Sequence, residues 1–404
     1  MRAWCAVSDI TCTTGFDPWI EQFGLDGITA GCGGGLYCPS TPVTRDQLAV
    51  FLEKAMRGTA NWPPHTVLVF HHQAAETNSD VNSGTELLGL VAAVPSSGPE
   101  APSASNPWLV KVGPGLFDLG SGSLILPAYT AIEGAGQDTT VTTATGSEYS
   151  GAATVSVGGY GRLSRLTVNN SSGNAFAIAD FIAPPAGGID FSHVALNASS
   201  PPHTASSAWC LYTMGDWGFS IVDSEFTAHG AFDDEAIMVN SNGSEVRLDG
   251  VQVHASTPDP AGIAKGLDCN GSSLAITNSR FYVSGGRSRF GIHFQSGGGG
   301  GFGPRNSEIY TNGPIVAVAA GVLGSSTLLG GIIIAQGSAV QTAFTTNWNI
   351  SNCRIEGATS WLGNSNATVT VGASKLVGTT SNSGGTVNCF GNYTGTAFLA
   401  NTCP

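Results

Sequence analysis

The sequence predicts a mainly β fold, a parallel β-helix (solenoid) preceded by a small α-helical module. Charged residues make up only 11% of the 404 residues, whereas 41% are apolar and 56 are glycine. This composition is typical of a strand-rich protein with many turns. One short pattern also recurs along the chain, and its copies leave no room for a crossover helix between parallel strands. A net charge of −13 argues against a nucleic-acid-binding surface.

The recurring pattern alternates apolar residues around a turn residue and a small residue. Its copies are IDFSHVAL at 189, FSIVDSEF at 219, VRLDGVQV at 246, LAITNSRF at 274, WNISNCRI at 348 and VTVGASKL at 369. Alternation buries one face of each strand, and most copies lie 21 to 30 residues apart. We therefore predict coils that stack at about 4.8 Å per rung over residues 65–404. A β-sandwich is the alternative, because its strands also recur at short spacing.

Alignment of the copies predicts which side chains stack from coil to coil. Two inward columns are predicted, and they contain Phe191, Ile221, Leu248, Ile276, Ile350 and Val371, and Leu196, Phe226, Val253, Phe281, Ile355 and Leu376. An outward row is predicted from Glu225, Gln252, Arg280, Arg354 and Lys375. A shared turn position is predicted for Thr213, Asn240, Asn270 and Gln295. This last row is either an amide ladder that satisfies turn backbones or a polar binding strip.

Residues 1–64 are predicted to form the helical module. Asp17 suits the N-cap of a first helix, with Pro18 at its first position. Thr44 and Gln47 have capping-box spacing at the start of a second helix. The residues predicted on one apolar face of this second helix are Leu48, Phe51, Leu52 and Ala55.

Three stretches resemble known families. Asn106–Val141, with VGPGLF and IEGAGQDTT, resembles the first turns of right-handed β-helix proteins of the pectin-lyase-like superfamily. NCFGNYTGTAFLANTCP resembles the C-terminus of secreted bacterial β-helix proteins. Phe16–Gly58, with FDPWIEQF, GIT, YCPSTPVTR and LAVFLEKAM, resembles an S-layer-homology repeat. These resemblances imply a right-handed solenoid with an S-layer-homology-like module, located outside the cell or on its surface, although this chain shows no signal peptide.

The S-layer-homology resemblance also implies a partner. In that family the Thr-Arg segment helps to bind anionic cell-wall polysaccharide, so the resemblance implies this role for Thr44 and Arg45. A guanidinium suits bidentate contacts to anions. The family usually has three tandem copies, whereas this chain has one. The alternative is that the helical pair caps an open end of the solenoid or mediates assembly.

Six of the nine cysteines lie near the two ends of the chain. Clusters at the ends of a solenoid suit disulfides in an oxidising compartment. The predicted pairs are Cys5–Cys12, Cys32–Cys38 and Cys389–Cys403. A zinc site formed by the four N-terminal cysteines is the alternative, although their spacing matches no common zinc ribbon, and we predict no metal there.

The three central cysteines are predicted to be buried free thiols that act as small apolar residues. Cys210 and Cys269 are predicted to align two rungs apart, too far for a bridge. Cys353 takes the small-residue place that Ser279 and Ser374 hold in other copies.

Candidate catalytic residues lie in the middle of the chain. If the protein is an enzyme, the candidates are Asp216, Asp233, Asp234, Asp268, His293 and Arg247, with Glu235 and Lys265 near them. Paired carboxylates suit acid–base cleavage of glycosides, and a pectate-lyase-like reaction would use carboxylates that hold Ca²⁺ beside an Arg or Lys base. Asp268 and His293 are expected to be outward neighbours on successive rungs. The aromatic residues expected nearby for sugar stacking are Trp209, Tyr212 and Trp217.

Structural explanations compete with each of these features. FDDEA, which contains Asp233 and Asp234, also suits an ordinary acidic turn before a strand.

The apolar window Pro314–Gly337 is long enough to span a bilayer. Gly-Ser-Ser and Gly-Gly interrupt this window and no basic cluster flanks it, so we predict two buried strands and no membrane span.

The sequence therefore leaves two functions open. The first is a non-catalytic extracellular or cell-surface protein, structural or adhesive, without a cofactor. Such a protein would self-associate, as fibres for example, or attach to cell-wall or extracellular polysaccharide. The second is a secreted polysaccharide lyase or glycoside hydrolase acting on polyuronides, with Ca²⁺ as cofactor if it is a lyase.

Overall fold

The chain forms two compact units, Met1–Pro64 and His65–Pro404, in a computed structural model. The structure describes residues 9, 17–25, 28–29, 31–32, 36–57, 65–69, 83–136, 139–143, 153–171, 175–180, 188–199, 207–214, 218–230, 232–240, 245–270, 273–295, 302–312, 324–335, 338–342, 346–363, 368–382, 386–394, 397–401 and 403.

The first unit contains α1 (Asp17–Leu25) and α2 (Arg45–Arg57). The predicted capping box is present at α2, where the Gln47 N–H donates to Thr44 Oγ1 at 3.2 Å and the Thr44 N–H donates to Gln47 Oε1 at 3.0 Å. Phe51 packs edge-to-face on Phe23, with ring centroids 5.3 Å apart. Leu48 and Leu52 are about half exposed, so the predicted apolar face is only partly covered.

The second unit contains one helix and 34 strands in its described residues. They begin with β1 (His65–Val69), α3 (Ser83–Ala92), β2 (Trp108–Val112), β3 (Gly115–Asp118), β4 (Leu124–Leu126), β5 (Thr130–Gly134), β6 (Thr139–Thr143), β7 (Val155–Val157), β8 (Arg162–Ser164), β9 (Thr167–Asn170), β10 (Ala175–Asp180), β11 (Gly188–Ser192) and β12 (Ala195–Ser199). They continue with β13 (Ser207–Met214), β14 (Gly218–Val222), β15 (Glu225–His229), β16 (Asp233–Asn240), β17 (Glu245–Asp249), β18 (Gln252–Thr257), β19 (Ile263–Asn270), β20 (Ser273–Thr277), β21 (Arg280–Gly285), β22 (Ser288–Gln295) and β23 (Phe302–Arg305). They end with β24 (Glu308–Asn312), β25 (Gly324–Leu329), β26 (Ile332–Ala335), β27 (Ser338–Thr342), β28 (Thr346–Ser351), β29 (Arg354–Gly363), β30 (Thr368–Gly372), β31 (Lys375–Asn382), β32 (Thr386–Phe390), β33 (Asn392–Thr394) and β34 (Ala397–Leu399).

These strands build three long sheets. The first sheet has the order β1-β2-β5-β8-β11-β14-β17-β20-β23-β25-β28-β30-β32. The second sheet has the order β22-β19-β16-β13-β10-β7-β4, and the third has β3-β6-β9-β12-β15-β18-β21-β24-β26-β29-β31-β33-β34, with β27 beside β29. Except for the antiparallel β33–β34 pair, the strand pairs are parallel. The predicted parallel β-solenoid is confirmed, and the β-sandwich is excluded.

The predicted inward columns are confirmed by the strand registers. In the first sheet the neighbours run Phe191, Ile221, Leu248 and Ile276, and later Ile350 and Val371. In the third sheet they run Leu196, Phe226, Val253 and Phe281, and later Ile355 and Leu376. All twelve are buried, so the apolar core lies inside the coils along their whole length.

The turn residue of the repeat has a left-handed backbone. Between the first and third sheets, Asp223 has φ 47°, Asn278 has φ 50° and Gly250 has φ 68°, a region that Asn, Asp and Gly tolerate best. Their N–H groups each donate to a carbonyl of the next coil, as from Asn278 to Arg305 at 3.1 Å. The turn residues thus link successive coils through their backbones.

The small residue of the repeat also links coils. Ser279 Oγ accepts the Val251 N–H from the preceding coil at 3.1 Å and donates to Thr277 O at 2.7 Å. Cys353 occupies the equivalent place, and its N–H donates to Ser374 Oγ at 3.1 Å. A larger side chain would have to displace these buried contacts.

The N-terminal end of the solenoid is closed by α3. Leu87 and Val91 from this helix are buried in the core cluster. The approach is close, since a Cβ on Gly84 would lie 1.8 Å from the carbonyl oxygen of Asp118. Glycine at this position therefore lets the helix pack directly on the first coil of the third sheet.

The cysteines partly match the prediction. The disulfides Cys32–Cys38 and Cys389–Cys403 are present, whereas Cys5–Cys12 lies outside the described residues. The three central cysteines are buried free thiols, as predicted: Cys210, Cys269 and Cys353.

Two predicted alignments in the second sheet are wrong by register. Cys269 pairs with Val239, which pairs with Thr213. Cys269 therefore shares a column with Thr213 and not with Cys210. Met214, not Thr213, pairs with Asn240, which in turn is in register with Asn270 and Gln295. The residues of this row are the last residues of their strands and do not lie in a turn.

The apolar window contains strands where the structure describes it. Residues 314–323 lie outside the described residues, and β25 and β26 follow them, with Ile333 and Ala335 buried. In the described part of the chain, no helix has the length and apolar character needed to cross a membrane.

Candidate functional site

A cluster of ionisable side chains lies on the outer face of the second sheet. It consists of Glu235 in β16, Lys265 and Asp268 in β19, and His293 in β22. We call these four residues the acid–base cluster. They come from three adjacent strands, so the hydrogen bonds of the sheet fix their spacing.

A local break in alternation places two members of the cluster on the same face. Residues three apart in a strand normally point to opposite faces. Here Leu267 belongs to the core, and a Cβ on Gly266 would lie 3.1 Å from the buried ring of Phe281. Gly266 and Leu267 thus both face inward, and Lys265 and Asp268 on either side of them both face outward.

The four side chains form a continuous chain of contacts. Lys265 Nζ donates to Glu235 Oε1 and, at 2.7 Å, to Asp268 Oδ2. His293 Nδ1 donates to Asp268 Oδ1 at 2.8 Å. Side-chain exposure is 3% for Glu235, 10% for Lys265, 0% for Asp268 and 15% for His293. The cluster is therefore almost closed to solvent.

Burial and charge set the protonation of the cluster. Burial raises the pKa of Glu235 to about 8, although the charge of Lys265 opposes it. Burial alone would lower the pKa of Lys265, but the charges of Glu235 and Asp268 raise it above its ordinary value. Burial would likewise raise the pKa of Asp268, but the hydrogen bond from His293 and the charge of Lys265 lower it.

At neutral pH the Lys265 ammonium is therefore balanced by the Asp268 carboxylate, and Glu235 holds its proton. Glu235 Oε2 is buried and makes no hydrogen bond with any described residue. A buried, unpaired carboxylate oxygen would cost more than a buried hydroxyl, in agreement with the raised pKa.

Aromatic rings lie at both ends of the cluster. By register, Trp209, Glu235, Lys265 and Phe290 form one row, and Tyr212, Met238, Asp268 and His293 form the next. The buried Trp209 and Tyr212 rings stack with centroids 4.7 Å apart. The Phe290 ring lies 4.6 Å from that of His293. The low exposure of the four side chains to solvent strengthens the electrostatic contacts within the cluster.

The structure brings together some of the predicted catalytic candidates and separates others. Asp268 and His293 are register neighbours, as expected, but Asp268 is covered instead of open to solvent. Asp233 and Asp234 are the first two residues of β16, and Asp234 is fully buried, so the interpretation as an ordinary acidic turn before a strand is wrong for Asp234. Asp216 and Trp217 lie outside the described residues.

Arg247 does not belong to the cluster. It lies in β17 of the first sheet, where its Nε and Nη2 donate to the Glu245 carboxylate at 3.0 and 3.1 Å. The prediction is wrong because residues 245–249, although close in sequence to β16, start the next strand of a different sheet. We did not predict Phe290 as part of the site. The signal that could have identified it is its register position beside Lys265 on the neighbouring strand.

The predicted partner-binding pair lies at the start of α2. Both Thr44 and Arg45 are exposed. The hydroxyl of Thr44 accepts the Gln47 N–H, so this residue fixes the helix start, and Arg45 is the first residue of the helix.

A separate polar cleft lies beside the turns between the first and third sheets. Its volume is about 290 Å³, and its lining residues are Gly250, Gln252, Asn278, Ser279, Arg280, Asn306 and Glu308. The charged groups in it are already paired, since Arg280 Nε lies 3.0 Å from Glu308 Oε2. Across the residues that the structure describes, no group of three or more His, Cys, Asp or Glu is arranged to hold a metal ion.

Comparisons with known proteins concern the fold. No protein-family model and no curated protein matches the chain. Pectate lyase Pel9A is similar with 13% identity and a TM-score of 0.44, covering 82% of this chain and 80% of its own. The A-module of mannuronan C-5 epimerase AlgE6 from Azotobacter vinelandii has 12% identity and a TM-score of 0.40, covering 74% and 72%. Pectin methylesterase PemA from Erwinia chrysanthemi has 11% identity and a TM-score of 0.32, covering 72% and 80%. Likeness at this level does not extend to function.

Proposed function

We propose that the protein is a non-catalytic β-solenoid, extracellular or on the cell surface, with a structural or adhesive role and a polysaccharide partner. The closure of the acid–base cluster carries this proposal, because Asp268 is 0% and Glu235 only 3% exposed. A general acid or base must come within about 2.6–3.2 Å of a substrate atom, directly or through one water. In this cluster Lys265 is hydrogen-bonded to Glu235 and Asp268, and His293 is hydrogen-bonded to Asp268.

The proposed polysaccharide contact lies at the start of α2. The resemblance to S-layer-homology repeats supports an anionic cell-wall polysaccharide as the partner. Because the Thr44 hydroxyl caps the helix, we assign the direct contact to the exposed Arg45 and an orienting role to Thr44.

Cosedimentation of the full chain with insoluble anionic cell-wall polysaccharide tests this contact. The wild type should sediment with the polysaccharide, and Arg45→Ala should weaken binding several-fold, because one charge-assisted contact is lost. Arg57→Ala removes the same charge from the other end of α2 and should bind as the wild type does. If the two variants bind equally, the assignment to Arg45 is wrong.

A second candidate function is a polysaccharide lyase or hydrolase acting on polyuronides. It is favoured by the roles that the cluster combines: His293 oriented by Asp268 as a base, Lys265 as a cation for a uronate carboxylate, and Glu235 as a proton donor. A pKa raised by burial is typical of a catalytic acid. In this candidate, substrate would have to reach His293, the most exposed member.

A cleavage screen separates the two functions. Purified protein is incubated with polyuronides with and without Ca²⁺, and unsaturated or reducing ends are measured. We expect no product under either condition. Product that disappears in His293→Ala, with unchanged thermal unfolding, would replace the non-catalytic proposal by the lyase or hydrolase.

A further inference from the structure

Three aromatic rings stack beside the polar cleft, on the outer face of the third sheet. They belong to His254 in β18, Tyr282 in β21 and Tyr310 in β24, which are register neighbours on successive coils. The ring centroids lie 5.1 Å apart in the first pair and 5.2 Å apart in the second. Tyr282, the middle residue, is 36% exposed. We call these three residues the aromatic row.

The aromatic row and the polar cleft form one surface. Residues two apart on a strand point to the same face, and each ring lies two residues after a residue that lines the cleft. The pairs are Gln252 and His254, Arg280 and Tyr282, and Glu308 and Tyr310. The Tyr310 hydroxyl also donates to Glu308 Oε2 at 3.4 Å, so a direct contact links the row to the cleft. Because three successive coils contribute, the surface extends over about 9.6 Å along the solenoid at about 4.8 Å per rung.

The polar cleft offers hydrogen-bonding groups of both kinds. Gln252, Asn278 and Asn306 contribute exposed amides, and each amide has donors and an acceptor. Arg280 contributes donors and Glu308 contributes acceptors. A ligand that fits this cleft therefore carries groups that both donate and accept hydrogen bonds.

The charges around the polar cleft select against an anionic ligand. Arg280 is the only cation among the lining residues, and Glu308 balances its charge. Asn278 Nδ2 donates to Asp249 Oδ1 at 2.8 Å, so a further carboxylate adjoins the cleft. An anion would thus meet more negative than positive charge, and an uncharged ligand fits better.

We infer that the polar cleft and the aromatic row together bind one segment of an uncharged polysaccharide. Sugar hydroxyls donate and accept hydrogen bonds, which suits the amides, and the C–H groups of a sugar ring pack on aromatic side chains. The cleft volume of about 290 Å³ is near the lower limit for small-molecule pockets, so it suits a short segment of a longer chain. The inference goes beyond the proposed function, because it concerns a neutral ligand and involves neither Arg45 nor the acid–base cluster.

Affinity gel electrophoresis of the full chain tests this inference. The native gels contain galactomannan, xyloglucan or mixed-linkage β-glucan as neutral polysaccharides, or polygalacturonate as the anionic comparison. At least one neutral polysaccharide should retard the wild type. Gln252→Ala and Tyr282→Ala should each weaken this binding several-fold, because each variant removes one direct contact. Retardation by polygalacturonate, where it occurs, should be the same in Gln252→Ala and the wild type.

Three further variants separate this surface from the rest of the chain. Asn388→Ala removes an exposed amide from the first sheet, and Tyr160→Ala removes a ring that is 42% exposed outside the aromatic row. Arg45→Ala removes the contact proposed for anionic polysaccharide. All three should bind the neutral polysaccharide as the wild type does. Every variant must keep the circular dichroism spectrum of the wild type.

Hydroxyl-radical footprinting of the wild type tests the same surface without a substitution. Labelling of Tyr282 and Tyr310 should fall when the retarding polysaccharide is added, whereas labelling of Tyr160 should stay constant. Equal labelling with and without polysaccharide would overturn the inference, as would a wild type that none of the neutral polysaccharides retards. Binding that Gln252→Ala and Tyr282→Ala leave unchanged would do so as well. These outcomes leave the contact of Arg45 unaffected, because cosedimentation tests it separately.

Discussion

The acid–base cluster on the second sheet and the ion pair between Arg354 and Glu356 on the third sheet use charged residues in opposite ways. On the second sheet, Lys265 is 10% exposed and its partner Asp268 is fully buried. On the third sheet, Arg354 contacts Glu356 while its own side chain is 48% exposed. The chemical groups are similar, but water screens only the second pair. Burial, more than distance, should therefore decide what each pair contributes to stability.

The buried and exposed pairs also differ in the solvation free energy that their charged groups lose on folding. A buried ion pair must recover the solvation that both groups lose, and apolar residues of similar size often serve as well. The second sheet nevertheless buries one ammonium and the Glu235 and Asp268 carboxyl groups together. Removal of one member should then be much more harmful than removal of a whole surface pair.

Lys265→Met should have the largest effect. It leaves Glu235 and Asp268 buried without their shared cation, and breaking a buried pair in this way costs about 3–5 kcal/mol. Urea unfolding monitored by circular dichroism measures the loss. Lys375→Met is the matched control, because Lys375 is 42% exposed beside Glu356, and its midpoint should stay close to that of the wild type. Equal losses in the two variants would contradict the importance of burial.

Glu235→Gln should change the pH dependence of stability. The folded-state pKa of Glu235 is raised from 4.5 to about 8, so the folded protein holds a proton that the unfolded chain releases. Its contribution is full below pH 4.5 and is lost as the pH rises to about 8. The wild-type melting temperature should therefore fall by several degrees from about pH 5 to about pH 8.

In Glu235→Gln this part of the slope should disappear, because the amide does not titrate in this range. Asp268 does not mimic the effect: its pKa is lowered, so its contribution is lost only as the pH falls below the ordinary value of 3.8. Glu245→Gln, at the exposed pair with Arg247, should keep the wild-type slope. Parallel pH profiles for Glu235→Gln and the wild type would show that Glu235 is ionised in the fold.

The columns of the core could be predicted from the sequence, whereas the acid–base cluster could be predicted only in part. Phe226 and Val253 alternate with polar neighbours and follow a turn residue, and these local signals set the register of the first and third sheets. In the second sheet the alternation breaks at Gly266 and Leu267. Strict alternation would place Lys265 and Asp268 on opposite faces, so the contact between them could not be predicted from spacing.

The remaining errors have the same physical origin. Cys210 lies three residues before Thr213, the residue in the column of Cys269, because register within a sheet depends on the contacts of whole coils. Arg247 is close in sequence to Glu235, but the chain has already turned into another sheet. Nearness in sequence was therefore a poor guide to nearness around the solenoid.

Arg354→Ala should have the smallest effect and thus completes the comparison. Arg354 Nε contacts Glu356 Oε1 at 2.6 Å and Nη2 contacts Oε2 at 2.9 Å, a bidentate geometry that should be strong if distance alone mattered. Because the guanidinium is 48% exposed, water replaces the lost contacts. We expect the melting temperature to stay within about 1 °C of the wild type. A loss approaching that of Lys265→Met would mean that geometry, and not burial, sets the strength of these pairs.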